Sequence, residues 1–243
     1  MTRKRLDEAL VERGLYPTRS RARDAIKRGT VTVDGITATK PAQPVAGNAV
    51  ITLADEARTY VSRAAVKLSH ALDCFSLSPS GLNCLDIGAS TGGFSEVLLE
   101  REAAHVTAID VGHDQFAASL RDDPRVTLRE GLNARDLMPA HLKAPLQFIV
   151  CDVSFISLKL ALPQALDLAV PGARLVALIK PQFEAGRARL KKGIVRDPEV
   201  HAAVCNGMSE FVASLGWTVS GVIPSPIAGG DGNCEFLIGA ARG

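Results

Sequence analysis

The sequence predicts an α/β protein: a mostly parallel sheet with helices on both faces, preceded by a small basic α+β module. Three observations carry that expectation. From residue 81 onward, short apolar runs alternate with helical patterns, the arrangement that calls for a parallel sheet and crossover helices. The first of these runs ends in Asp86-Ile87 and passes through a glycine-rich turn, Gly88-Ala89-Ser90-Thr91-Gly92-Gly93, into a helical stretch. Charge is divided unevenly: residues 1–63 hold 12 Lys/Arg against 7 Asp/Glu, and the remainder 16 against 19. A basic head on a near-neutral body points to a polyanion as the head's partner, the plainer alternative being a solvated basic surface.

The head is read first. Leu6, Ala9, Leu10 and Val11 give a short amphipathic helix ended by Gly14. A second helix is expected over 20–28, with Ala22, Ala25 and Ile26 on its apolar side and Gly29 as its C-terminal cap. Arg19, Arg23 and Lys27 recur every fourth residue, so three cations share one face, flanked by Arg21 and Arg28, with Asp24 the one acid beside them. Such an edge suits a phosphate backbone, because each cation displaces condensed counterions. Val31-Thr32-Val33-Asp34-Gly35-Ile36 then reads as a strand, an Asp-Gly turn and a second strand, and 50–53 closes the module.

In the body, strands are expected at 82–87, 106–110, 126–128, 148–152, 175–179, 217–223 and 234–240. Helices are expected at 94–101, 114–120, 158–168 and 198–215, the last opened by Asp197 as N-cap and Pro198 in the first turn. A loop at 224–232, rich in Gly and Pro, leads to the last strand, placed antiparallel to its neighbour. Ligands of such sheets sit at the carboxyl ends of the strands. The turn after Asp86 is neither the dinucleotide pattern G-x-G-x-x-G nor a Walker A loop. It is either a tight strand-to-helix turn or a cradle for a ligand with a cationic amino-acid end, such as S-adenosylmethionine. Asp110, at the next strand end, suits the two hydroxyls of a ribose. Asn133 follows the third strand and is placed to meet an adenine edge, with Asp136 competing for that role. Asp152 and Lys180 end the fourth and fifth strands.

The head's residues, from Arg5-Leu6-Asp7-Glu8-Ala9-Leu10 through Ser20-Arg21-Ala22-Arg23-Asp24-Ala25-Ile26 to Gly29-Thr30-Val31, closely resemble the S-four domain, an RNA-binding module. That resemblance implies structured RNA held through shape and phosphate contacts, with Arg3, Lys4, Arg5, Arg19, Arg21, Arg23, Lys27 and Arg28 as the candidates. The body resembles the FtsJ-like RNA ribose methyltransferases. Its markers are Tyr60-Val61-Ser62-Arg63-Ala64-Ala65-Val66-Lys67-Leu68, residues 86–94, 151–158 and 179–184, and Gly232-Asn233-Cys234-Glu235-Phe236-Leu237. As a whole the chain resembles the TlyA family, historically labelled hemolysins, which joins the two. Family members often carry glycine after the Ser-Arg, where this chain has Ala64-Ala65.

The resemblance implies a Rossmann-like methyltransferase with a mostly parallel seven-stranded sheet over 64–243, an RNA-binding head over 1–57 and a linker at 58–63. It implies S-adenosyl-L-methionine as methyl donor, held by Asp86, Gly88, Ala89, Ser90, Thr91, Gly92, Gly93, Phe94, Asp110, Asn133 and Asp152. The family's catalytic set falls on Lys67, Asp152, Lys180 and Glu235. The implied acceptor is a cytidine 2′-hydroxyl of ribosomal RNA within ribosomal subunits, the large and in some members also the small. Separately from the resemblance, a monomer without membrane contact is expected. A ribose hydroxyl is a weak acid, so its proton must be taken or held as it attacks the methyl sulfonium. A lysine in water, with a pKa of about 10.4, is a poor base at neutral pH, and a second ammonium or burial favours the neutral amine. On this reading Lys180 accepts the proton with Asp152 as its partner, Lys67 steers the hydroxyl, and Glu235 holds Lys67.

Other classes fit less well. Five scattered cysteines without a C-x-x-C pair argue against a zinc site or disulfide framework, and no metal is expected. The first residues lack a signal peptide's apolar run and no stretch reaches 18 apolar residues, so a cytoplasmic protein is expected rather than a membrane-active cytolysin. Four candidate catalytic residues argue against a non-catalytic RNA-binding factor. The Asn/Asp-Pro-Pro-Tyr/Phe motif of N-methylating enzymes is absent after the fourth strand.

Overall fold

Two units make up the chain, Met1–Thr59 and Tyr60–Gly243. The computed structural model describes residues 3–186, 189–229 and 232–243, so residues 230 and 231 of the expected 224–232 loop lie outside the described residues.

The first unit comprises β1 (Lys4–Arg5), α1 (Leu6–Glu12), α2 (Arg19–Lys27), β2 (Val31–Val33), β3 (Ile36–Thr37), β4 (Pro44–Val45) and β5 (Ile51–Leu53). Thr18 caps α2 by accepting the Arg21 N–H at 3.3 Å. Asp34 and Gly35, both at positive φ, turn β2 into β3 as an Asp-Gly hairpin. Leu6, Leu10, Ala22, Ala25, Ile26 and Val31 are its buried core.

Packing α1 against α2 corrects the sequence reading of the cationic stripe. Asp24 is not its one acid: Asp7, wholly buried on α1, meets Arg5 at 3.0 Å, Arg19 at 3.2 Å and Arg23 at 4.0 Å. Glu8 takes Arg19 at 3.1 Å. Arg28 is corrected too. Its side chain is only 18% exposed, because Asp24 and the buried Asp55 hold its guanidinium at 2.8–3.0 Å. Asp55 also accepts the Tyr16 hydroxyl at 2.6 Å. Arg28 therefore ties the module together, while Arg3, Lys4, Arg5, Arg19, Arg23 and Lys27 are exposed.

The hydrogen bonds from Arg5 above all, then Arg19, hold the Asp7 carboxyl at about 2. That lies below the unfolded value of about 3.9, so the pairing stabilises fully above about pH 4 and is lost as pH falls toward 2. Asp7→Asn is expected to cost roughly 2 kcal/mol at neutral pH. It should also flatten the acid limb of unfolding between pH 4 and 2, followed by circular dichroism.

The second unit runs α3 (Ala64–Cys74), β6 (Asn83–Ile87), α4 (Gly93–Glu100), β7 (His105–Asp110), α5 (Ala118–Arg121), β8 (Val126–Glu130), β9 (Leu146–Cys151), α6 (Leu158–Ala161), α7 (Pro163–Leu168), β10 (Ala169–Ile179), α8 (Pro181–Glu184), α9 (Pro198–Ser214), β11 (Trp217–Pro224) and β12 (Phe236–Arg242). Its seven strands lie in the order β11-β12-β10-β9-β6-β7-β8. β10, β9, β6, β7 and β8 are parallel, and β12 runs antiparallel between β10 and β11. Both faces are covered. Leu85, Ile87 and Ile149 pack into one core, and Cys84, Val106, Phe148 and Val150 into the other. Central strands buried on both sides explain the continuous apolar runs of the sequence.

Three elements differ most from the sequence reading, the other bounds shifting by one or two residues. Pro163 splits the expected 158–168 helix into α6 and α7, because its ring removes an amide donor and crowds the preceding turn. The 114–120 helix shrinks to α5, since Asp114 sits at φ +58 and the Ala117 N–H goes to the Thr91 carbonyl. The strand expected at 175–179 begins at Ala169, the register slipping between Ala169 and Arg174 around Pro171 and Gly172.

Candidate active site

The sheet's topology gathers the polar strand ends on one edge. β6 is flanked by β7 and β9, so the chain winds outward on one side and returns on the other, opening a crevice at the ends of β6 and β9. Asp110 ends β7, and Gly88, Asp152 and Lys180 directly follow β6, β9 and β10. Because β12 is antiparallel and Phe236 pairs with Ile179, Glu235 arrives beside Lys180.

The loop after β6 is held by backbone and by one carboxylate. The Gly88 and Ala89 N–H groups donate to the Ile109 carbonyl, and the Ser90 N–H to Asp110 Oδ2 at 2.8 Å. Asp110 Oδ1 accepts the Gly112 N–H at 2.7 Å, so this side chain clamps both turns and keeps lone pairs for a further donor. Gly88 is at φ +80, where a Cβ would stand 2.6 Å from the Asp152 carbonyl oxygen. Gly92, at φ +97, would push a Cβ into Leu120 and Phe116. These glycines let two strand ends and a helix start meet without side chains between them.

A cavity of about 500 Å³ opens here, walled by Gly88, Ser90, Asp110, Asn133, Asp152 and the exposed Val111, among others. A smaller one of about 150 Å³ shares Gly88, Ser90 and Asp152 with it and adds Thr91, Phe94 and Lys180. Ala89 and Gly93 also line the smaller cavity. Asn133, rather than the exposed Asp136, reaches the larger cavity's wall. Its Oδ1 is taken by the Arg135 backbone and side chain, which leaves the amide NH₂ for a ligand.

Asp86 departs from the sequence reading as a residue touching the donor. It is wholly buried beneath the loop and lines neither cavity. Ser95 donates to Oδ2 at 2.7 Å and Oδ1 has no partner. Burial first, and the nearby Asp152 and Asp110 carboxylates, push its carboxyl up to about 7. With the folded value above the unfolded one, stability is present below about pH 4 and is lost as pH rises toward 7. Asp86→Asn keeps an acceptor for Ser95 and removes that loss. Its expected gain is on the order of 2 kcal/mol at pH 8 and near zero at pH 4, read from thermal melts at both.

Two buried amine–carboxylate pairs stand at the edge. Lys180 Nζ meets Asp152 Oδ1 at 2.5 Å, a charge contact rather than an aligned hydrogen bond, and donates to Ser154 Oγ at 2.8 Å. Lys67, carried by α3, meets Glu235 Oε2 at 2.5 Å, with side chains 6% and 3% exposed. Glu184 accepts the Ser157 hydroxyl at 2.5 Å and the Leu158 N–H at 2.8 Å, locking the loop after Asp152 to the segment after Lys180. Phe155 lies 91% exposed at φ +67, its ring 5.3 Å from that of Phe183. Ser154, Glu184 and Phe155 are absent from the sequence-derived candidates. Their only signal was position, within a few residues of Asp152 and Lys180.

A cavity at the switch point of a seven-stranded sheet with one antiparallel strand, beside which stand two lysine–carboxylate pairs, defines a Rossmann-like methyltransferase. The model of the FtsJ-like methyltransferase family matches residues 60–242, and that of the S4 domain residues 4–51. The chain belongs to the TlyA family of FtsJ-like methyltransferases. It is 44% identical over 238 residues to the 16S/23S rRNA (cytidine-2′-O)-methyltransferase TlyA of Mycobacterium tuberculosis, covering 97% of this chain and 89% of that one. It is 39% identical over 235 residues to Hemolysin A of Brachyspira hyodysenteriae, covering 96% and 98%. A solved structure from Streptococcus thermophilus that also carries the hemolysin name superposes with a TM-score of 0.78 at 40% identity, covering 100% of this chain and 89% of that one. Among the described residues no helix is long and apolar enough to cross a membrane.

Proposed function

We propose that this protein is an S-adenosylmethionine-dependent ribosomal RNA (cytidine-2′-O)-methyltransferase acting on ribosomal subunits in the cytosol as a monomer. The observation that carries this reading is the pair of amine–carboxylate contacts, Lys180–Asp152 and Lys67–Glu235, on the sheet edge where Asp152 lines a cofactor-sized cavity and Lys180 the smaller one that adjoins it. The residues present fit the donor. Asp110 keeps acceptor capacity for ribose hydroxyls, Asn133 a donor for the adenine edge, and the Gly88 backbone lines both cavities. When bound, S-adenosylmethionine supplies an electrophilic methyl on a sulfonium.

The chain's own part is then to hold and deprotonate the acceptor. Lys180, oriented by Asp152 and Ser154, takes the 2′-hydroxyl proton as the neutral amine, after giving up one of its own to solvent, and Lys67, fixed by Glu235, steers the oxygen. Exposed Phe155, in a backbone conformation that costs energy for an aromatic residue, suits stacking of the acceptor base once it leaves its helix. Residues 1–57 act as the RNA-binding head, contacting phosphates through Arg3, Lys4, Arg5, Arg19, Arg21, Arg23 and Lys27, with 58–63 as the link.

Incubation with unmodified ribosomal subunits and radiolabelled S-adenosylmethionine tests the proposal. Label is expected in alkali-resistant dinucleotides, since 2′-O-methylation blocks backbone hydrolysis, from the large subunit and from the small one if both are substrates. Label confined to alkali-labile nucleotides refutes the 2′-hydroxyl, and haemolysis by the protein without methyl donor would favour the cytolysin reading.

A further inference from the structure

We infer that the short hairpin centred on Lys192-Gly193 is a second RNA-contact element, holding acceptor-strand phosphates beside the catalytic pairs. This rests on the function proposed above and adds to it a contact surface within the methyltransferase unit. Lys191 and Ile194 exchange both backbone hydrogen bonds, at 3.0 and 3.1 Å, closing a two-residue turn with Lys192 at φ +53 and Gly193 at φ +79. A turn of this mirror-image type favours Asn-Gly or Asp-Gly. A lysine at its first position sits in the left-handed region at a cost, so the turn's own geometry does not account for the residue.

The hairpin is anchored. Asn233, 2% exposed, accepts the Val195 N–H at 3.2 Å and donates to the Gly193 carbonyl at 3.2 Å. Val195 is itself buried, and its carbonyl meets His201 Nε2 at 3.0 Å. Asn233 lies two residues before Glu235, the partner of Lys67, and the hairpin follows α8, which begins directly after Lys180. Through Asn233 the hairpin is therefore tied to the segment that carries Glu235 to the catalytic edge.

Lys191 and Lys192 are exposed and form no ion pair or side-chain hydrogen bond among the described residues, unlike the head's arginines around Asp7. Arg189 lines a groove with the acidic Glu184, Asp197 and Glu199, whereas the two tip lysines stand outside that groove. A nucleotide swung out of its helix needs its flanking phosphates held, and two rigidly presented ammonium groups supply that contact.

The test uses the full chain, unmodified ribosomal subunits and two variants. For K191A/K192A, the KM for subunits should rise about tenfold and the slope of log affinity against log salt should fall by about 1.5, two phosphate contacts' worth. Donor affinity, read by calorimetry, should match the wild type. Lys192→Asn suits the turn better than lysine does. It should raise or keep the melting temperature while still weakening subunit binding severalfold, a combination that a purely structural role does not produce. Wild-type KM and salt slope in both variants overturn the hairpin's role and leave the proposed function standing. Failure of the wild-type protein to label any RNA overturns the proposed function, and the binding titrations still decide on the hairpin.

Discussion

Lys180→Ala is expected to lower methyl transfer to ribosomal RNA by about 10²–10⁴-fold, the span of a lost general base, with donor and subunit binding retained. The amine lies 2.5 Å from Asp152 and 2.8 Å from Ser154 in the wall of the smaller cavity, so alanine removes the only amine of that wall among the described residues. Lys180→Arg separates two roles. Arginine keeps a cation for Asp152 but cannot surrender a proton under these conditions. Inactivity of both variants assigns proton transfer to Lys180, whereas substantial turnover by the arginine variant reduces it to a charge that orders Asp152. Wild-type turnover by Lys180→Ala with normal RNA binding would sink the assignment.

Glu235→Ala is expected to destabilise the fold by about 3–5 kcal/mol, because it strands the buried Lys67 ammonium without its counter-charge. For a chain of this size that corresponds to a fall in melting temperature on the order of 10 °C. Activity should fall as well, and the two losses need separating. The double variant Lys67→Met with Glu235→Leu replaces the pair by apolar groups and should recover most of the stability, since buried pairs exchanged whole cost little. It should stay inactive. Recovery of methylation along with stability would show the pair to be structural and remove Lys67 from the reaction.

Much of the frame was legible because it is written locally. Strands buried on both faces read as apolar runs, the turn after Asp86 announced itself by glycine, and Asp110, Asp152 and Lys180 stood where buried runs stop. The antiparallel last strand followed from its loop. Element lengths were less legible where one residue interrupts a pattern, as Pro163 does in the expected 158–168 helix and Asp114 in the helix after β7.

By itself the sequence determined the two-part organisation, the strand–turn–helix at Asp86–Phe94 and the placing of polar side chains at strand ends. Lys67 and Glu235 came from the family resemblance, not from any local pattern. Only the tertiary structure decided which group meets which. It brings Lys67 to Glu235 across 168 residues of chain. It turns Arg28 inward to Asp55, lets Asp7 collect the head's arginines, sinks Asp86 beneath the loop it announces, and chooses Asn133 over Asp136 for the cavity wall. Periodicity and turn chemistry act over a few residues, whereas ion pairs and burial depend on sheet order and helix packing, which bring distant parts of the chain together.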